Sequence, residues 1–172
     1  MGIFRLNHAV LFVRDLNRSV AFYTDVLDFR AVNMTPDGFH GAAFLRAPAS
    51  TNDHDLGLFE IGAGAGPSHA GRSEVGLYHL AWEVDTLDEL SRLRDRLTEA
   101  RALVGASDHS TTKSLYAKDP DGIEFEVAWV VPADRLDAET LEGRKAIQPL
   151  DLEREMQRYG ATTRGGVGIS TY

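Results

Sequence analysis

The sequence contains no cysteine. Disulfide bonds, thiolate metal sites and a cysteine nucleophile are therefore excluded together, and His, Asp and Glu are the side chains left to bind a metal ion. Long apolar runs are also missing, since no stretch approaches the roughly 18 residues that a membrane span needs. The first ten residues, MGIFRLNHAV, lack the basic and apolar regions of a signal peptide, so we expect a cytoplasmic protein without a membrane partner.

Basic residues are fewer than acidic ones. The chain has 18 Lys and Arg against 26 Asp and Glu, which gives a formal net charge of −8 at pH 7. Such a charge repels nucleic acid, so a small-molecule partner is expected instead. The length of 172 residues suits one domain with a sizeable apolar core.

A repeat with a period of 71 residues organises most of the chain. HAVLFVRDL begins at His8 and HLAWEVDTL begins at His79; the two stretches share the histidine, a valine five residues later and a leucine eight residues later. Each copy is followed by apolar residues at helical spacing, and in the second copy Thr86 and Glu89 form a capping-box pattern. Both copies therefore open with a strand followed by a helix.

Three short strand candidates follow each helix, separated by turn signals such as PDG at 36–38 and DPDG at 119–122. The predicted strands are Arg30–Met34, His40–Leu45, His54–Ile61, Ala102–Ala106, Thr112–Lys118 and Ile123–Val130. The order is βαβββ twice, which places the chain in the α+β class. We expect one domain over residues 1–130, with module one at 3–61, a Gly/Ala/Ser-rich connector at 62–75 and module two at 76–130. A tail with two short helical patterns and a glycine-rich end follows at 131–172.

Tandem βαβββ modules that each open with a histidine on the first strand resemble the vicinal oxygen chelate superfamily. That group contains glyoxalase I, the extradiol catechol dioxygenases and the fosfomycin and bleomycin resistance proteins. The resemblance covers residues 5–129 and not the tail. It implies an open, curved mixed sheet around a metal-binding cavity, and chains with two modules often pair, so a homodimer is expected.

Carried over to this sequence, the resemblance implies that His8, His79 and Glu126 bind the metal. Strand alternation supports Glu126 independently, because its neighbours Phe125 and Val127 fall on the opposite, apolar face. Two imidazoles and one carboxylate form the facial triad that suits non-haem Fe(II), with Mn, Ni or Zn as alternatives.

Two further stretches resemble the extradiol dioxygenases. FLRAPASTNDHDLGLFEI, at 44–61, implies that His54 is an acid–base and oxygen-stabilising residue. DHSTTKSLYAKDPDG, at 108–122, implies that Tyr116, ten residues before Glu126, hydrogen-bonds a substrate oxygen. His109 is a possible pocket residue. The most favoured function is therefore ring cleavage of a small catechol-like aromatic with Fe(II) and O2, although the best-known enzymes of this branch have four modules in about twice this length.

Two alternatives remain open from the sequence. In a glyoxalase I-like isomerase or lyase, Glu60 would be a fourth metal ligand, since it shares strand parity with His54. Such a site favours Ni²⁺ or Zn²⁺ and proton abstraction next to a carbonyl, as in a dicarbonyl substrate. The other alternative is a drug- or metabolite-binding protein of the resistance type, which needs no metal. His40 and His69 are interpreted as surface or structural residues.

Overall fold

The structure is a computed structural model that describes residues 2–3, 5–34, 40–70 and 73–166. Its contacts divide the chain into two units. Unit 1 comprises Met1–Ser68 and Asp119–Gly122, and unit 2 comprises His69–Lys118 and Ile123–Tyr172. The boundary between Ser68 and His69 falls inside the connector predicted from composition. The PDG turn predicted at 36–38 lies outside the described residues.

Unit 1 contains a four-stranded mixed sheet and one helix. Its elements are β1 (Ala9–Val13), α1 (Leu16–Leu27), β2 (Arg30–Val32), β3 (Ala42–Arg46) and β4 (Leu56–Glu60). The strand order is β1-β4-β3-β2, with β1 parallel to β4 and the other pairs antiparallel. Helix α1 begins where the side chain of Asp15 accepts a hydrogen bond from the backbone N–H of Arg18, which satisfies one of the free donors of the first turn.

The two faces of the unit 1 sheet differ in exposure. Leu11 and Val13 of β1 are buried, whereas Val10 and Phe12, which alternate with them along the strand, are 52% and 68% exposed. Because side chains alternate across a strand, Leu11 and Val13 lie on the core face with Leu58 of β4, which is fully buried. The opposite face presents apolar side chains to the exterior of this unit.

Unit 2 repeats the same order and adds a strand. Its module consists of β5 (Leu80–Glu83), α2 (Leu87–Glu99), β6 (Leu103–Asp108), β7 (Thr112–Lys118) and β8 (Glu124–Val130), and the five-stranded sheet has the order β5-β8-β7-β6-β9. The side chain of Thr86 caps α2 by accepting from the N–H of Glu89, as predicted. Helix α2 buries the four leucines of the predicted stripe, Leu87, Leu90, Leu93 and Leu97. The α+β class and the repeated βαβββ order are therefore confirmed.

The C-terminal tail belongs to unit 2. It contains a short 3-10 helix (Ala133–Arg135), α3 (Ala138–Gly143), β9 (Gln148–Pro149) and α4 (Leu152–Tyr159). Strand β9 extends the sheet by pairing with β6, and α4 packs against α2. The indole N–H of Trp129 donates to the carbonyl of Thr163, and Gly165 lies so close to this indole that a Cβ would meet Trp129 Nε1 at 2.7 Å. The described tail thus covers the aromatic face of β8.

A buried ion cluster joins the tail to the sheet. Lys113 of β7 has a side chain only 2% exposed, and its Nζ lies 2.5 Å from Asp108 Oδ1 and 2.9 Å from Glu155 Oε2 of α4. Arg154, which is more exposed, contacts the same two carboxylates. The lysine is therefore compensated by acidic groups from both β6 and α4, as a buried charge requires.

The turn at 119–122 is held within unit 1 by two side chains of the first module. Asp121 accepts hydrogen bonds from the backbone N–H and the guanidinium of Arg14, both at 3.0 Å. The hydroxyl of Tyr23 donates to Asp119 at 3.2 Å. Burial raises the pKa of Tyr23 well above its usual value of 10.0, and the negative charge of Asp119 adds to the effect.

The helices agree with the lack of long apolar runs in the sequence. In the part of the chain that the structure describes, no helix combines the length and hydropathy needed to cross a membrane.

Candidate functional site

His79 and Glu126 lie side by side in unit 2. His79 immediately precedes β5, and Glu126 is in the middle of β8, which runs parallel to β5 with Ala81 opposite Glu126. The Nε2 atom of His79 is 3.2 Å from Oε2 of Glu126, and the two side chains are 26% and 14% exposed. Strand alternation had predicted this direction for Glu126, since Phe125 and Val127 are buried on the other face.

The pair fits a divalent metal ion. Two ligand atoms that each bind one ion at about 2.1 Å lie roughly 3 Å apart at a right angle, close to the observed separation. Among the described residues, the buried Nδ1 of His79 has no hydrogen-bond partner. An ion shared with Glu126 would bind the other ring nitrogen, Nε2, so Nδ1 is left for a water molecule or another donor and does not itself indicate the ion. Imidazole and carboxylate are also the donor types that Fe(II), Mn²⁺ and Zn²⁺ accept.

His8 and His54 form a second pair, in unit 1. Their ring centroids are 4.4 Å apart, and the His54 ring also packs edge-on against Phe44 at 5.1 Å. Nδ1 of His8 contacts the side-chain oxygen of Asn7 at 2.8 Å. Nδ1 of His54 is buried and has no hydrogen-bond partner within the described ranges. The described residues therefore present two histidine-containing pairs, and no cluster of three or more His, Asp or Glu is found among them.

Tyr116 and His109 extend the pair of unit 2. Tyr116 of β7 lies opposite Glu126 in the β7–β8 register, and its ring is 5.8 Å from that of His79. Its hydroxyl is 2.9 Å from Nε2 of His109. Burial raises the pKa of Tyr116 and the charge of Glu126 raises it further, while a hydrogen bond with Ser114 lowers it. The phenol therefore holds its proton near neutral pH and can donate a hydrogen bond.

Glu60 occupies a different environment from the one expected of a metal ligand. Its carboxylate accepts a hydrogen bond from the backbone N–H of Leu16 at 2.8 Å, so it sits at the start of α1. The predicted start of this strand at His54 was wrong, because β4 begins at Leu56, and strand parity therefore does not relate Glu60 to His54. Gly57 is the residue of the first module that corresponds to Glu126 of the second. It lies opposite Val10 in the β1–β4 pair, as Glu126 lies opposite Ala81 in the β5–β8 pair. Unit 1 thus offers no carboxylate at the equivalent place.

Sequence reasoning missed Ser114. This residue is fully buried on β7, and its hydroxyl donates to Oε1 of Glu126. The signal that could have found it is spacing, since Ser114 is two residues before Tyr116 and therefore shares its face of the strand. His40 and His69, by contrast, are exposed, in agreement with their interpretation as surface residues.

Tandem βαβββ modules, the second of which places His79 beside a carboxylate of its last strand, define a class of duplicated α+β proteins. Residues 5–127 match the Glyoxalase/Bleomycin resistance protein/Dioxygenase superfamily. Because this match covers well over half of the chain, the protein belongs to that superfamily.

Individual relatives have different activities. A catechol-2,3-dioxygenase from Bacillus subtilis is 31% identical over 71% of this chain, which spans 40% of that enzyme. A metallothiol transferase, FosB, from Lysinibacillus sphaericus is 28% identical over 80% of this chain and is itself 90% covered. Among solved structures, a glyoxylase/bleomycin resistance protein/dioxygenase domain from Frankia aligns with a TM-score of 0.61 at 25% identity, covering 74% of this chain and 92% of that one.

Proposed function

We propose that this chain is an Fe(II)-dependent extradiol dioxygenase that cleaves the ring of a small catechol-like aromatic with O2. The observation that carries the proposal is the arrangement around Glu126 in unit 2: an imidazole within 3.2 Å on one side and a histidine-bound phenol, Tyr116, opposite it on β7. Such a group combines metal-ligand chemistry with a positioned proton donor. The similarity to a catechol-2,3-dioxygenase supports the same choice.

In this proposal His79 and Glu126 hold the metal, with His8 as the third ligand that the repeat predicts. When bound, Fe(II) would bring the two catechol oxygens and dioxygen together and pass electron density between them. A set of three ligands leaves positions for these reactants, and Gly57 supports three over four because it contributes no carboxylate at the position equivalent to Glu126.

The remaining residues handle protons. His109 fixes the hydroxyl of Tyr116, which can then donate a hydrogen bond to a substrate oxygen. We assign His54 as the acid–base residue, because its buried Nδ1 has no partner within the described ranges and its ring packs on His8. An imidazole side chain can accept a catechol proton and return it later.

The test starts from anaerobic purification with Fe(II), followed by metal analysis. Oxygen uptake and ultraviolet-visible spectra are then recorded with a panel of catechols. We expect uptake with a yellow ring-fission product, lost together with bound iron in His79→Ala and in His8→Ala. His40→Ala removes an exposed histidine and is the matched control, so it should retain both. If His8→Ala retains iron and activity, His8 is not a ligand.

A second candidate is transfer of a thiol to a small molecule. It is favoured by length, since this chain covers 90% of the metallothiol transferase relative but only 40% of the dioxygenase. The same preparation discriminates the two. Metal bound through His79 and Glu126 without oxygen uptake on any catechol would reject ring cleavage, and thiol consumption with an electrophilic acceptor would then support the transferase. An isomerase or lyase of the glyoxalase I type would show instead as conversion of a thiol-adduct of a dicarbonyl.

A further inference from the structure

The two carboxylate oxygens of Glu126 have different partners. Oε2 faces Nε2 of His79 at 3.2 Å, and Oε1 accepts a hydrogen bond from the hydroxyl of Ser114 at 2.5 Å. Ser114 is fully buried, and Glu126 is only 14% exposed. Water therefore has little access to replace the serine hydroxyl, and the hydrogen bond determines which oxygen turns towards the histidine.

We propose that Ser114 is a positioning residue that holds Glu126 as a one-oxygen metal ligand. The hydroxyl holds Oε1 towards Ser114, so Oε2 is the oxygen presented to an ion beside His79. A carboxylate that binds through one oxygen uses one coordination position where a two-oxygen ligand uses two. Ser114 would thus keep a position available for a second substrate oxygen. This inference rests on the proposed function, because it assumes that Glu126 binds a metal.

Burial alone does not account for the Ser114 contact. Ser19 of α1 is equally buried, yet its hydroxyl has no hydrogen-bond partner among the residues described. Ser114, in contrast, lies on the same face of β7 as Tyr116 and its hydroxyl donates to Glu126. Partners of metal ligands orient the ligand, and their removal typically weakens metal affinity about 10- to 100-fold.

The experiment measures metal affinity in the full chain without turnover. Fe(II) and Co(II) are titrated anaerobically in competition with a chromophoric chelator, and the visible spectrum of the Co(II) form is recorded. We expect Ser114→Ala to weaken both affinities about 10- to 100-fold and to change the Co(II) bands. Ser114→Thr retains the hydroxyl and should restore affinity. Ser19→Ala, the same deletion at a buried serine of unit 1, should leave affinity unchanged.

A double-mutant cycle with Glu126→Ala separates positioning from a general structural effect. If Ser114 acts through Glu126, Ser114→Ala has no further effect on metal affinity once Glu126 is alanine. Equal losses in both backgrounds, or wild-type affinity in Ser114→Ala, would overturn the inference while leaving the proposed function intact. Absence of Fe(II) and Co(II) binding in the wild-type protein would overturn both.

Discussion

Replacing Lys113 with methionine is expected to destabilise the protein strongly. Methionine keeps most of the apolar volume of the lysine stem, so the change removes mainly the charge. Asp108 and Glu155 would then remain in a buried site, with side chains 9% and 0% exposed, and with Arg154 as the cation that contacts them. Removing one partner of a buried ion pair typically costs about 3 to 5 kcal/mol, and because Arg154 compensates part of the remaining charge we expect the lower end of that range.

This cost is a large part of the total stability of a domain, which is about 5 to 15 kcal/mol. For a chain of this length, each kcal/mol lowers Tm by about 2 to 4 °C. Urea unfolding can be followed by tryptophan fluorescence, since Trp129 is fully buried and packs against Tyr159 of α4, with ring centroids 5.5 Å apart. Because the chain has two tryptophans, the emission is compared with that of Trp82→Phe, and the Trp129 part reports the docking of the tail on β8.

Two variants test the physical reason. Lys145→Met breaks an exposed pair with Glu142, whose side chains are 74% and 71% exposed, and should change stability by less than about 0.5 kcal/mol. Combining Lys113→Met with Glu155→Leu removes two opposite buried charges together and should recover much of the loss. If Lys113→Met alone lowers the free energy of unfolding by less than about 1 kcal/mol, the ion cluster is hydrated. The conclusion that this cluster docks the tail on the sheet would then be wrong.

Two other changes probe unit 1. The pKa of Tyr23 is higher in the folded protein than in the unfolded chain. Its phenol therefore contributes stability that is present below about pH 10 and is lost as pH rises through the folded pKa. Tyr23→Phe should flatten the fall in Tm above pH 10, and an unchanged slope would contradict this. Glu60→Ala removes the acceptor of the Leu16 N–H and should cost about 1 kcal/mol. Its Fe(II) affinity should stay within about twofold of wild type, whereas a loss on the order of tenfold in the chelator titration would indicate a four-ligand site.

The repeat and the strand alternation predicted much of the fold from local information. The leucine stripe of α2 and the direction of Glu126 follow from periods of 3.6 and 2 residues, which a sequence displays directly. Strand ends were less predictable. The sequence placed His54 on β4, but the strand begins at Leu56. The preceding residues form a loop in which the side chain of Asp55 accepts hydrogen bonds from the N–H of Ala47 and the hydroxyl of Ser50.

Contacts between distant segments could not be predicted. Strand alternation places Lys113 on the apolar face of β7 with Leu115 and Ala117, but it does not show that the charge is compensated by Glu155 of α4, far along the chain. The role of Ser114 likewise depends on the register that sets β7 against β8. Strand periodicity gives the face of a side chain but not its partner, so both assignments needed the three-dimensional structure.

Gly57 and Glu126 show that the two modules differ in chemistry at equivalent positions. At matching places in the two sheets, one half carries a glycine and the other an acidic residue. Likewise Phe12 of the first half corresponds in the repeat to Glu83 of the second. The first copy thus carries no acidic residue at these positions, and the residues that it contributes to the proposed function, His8 and His54, lie outside β1 and β4. Directed evolution should therefore find more tolerated substitutions on β1 and β4 than on β5 and β8.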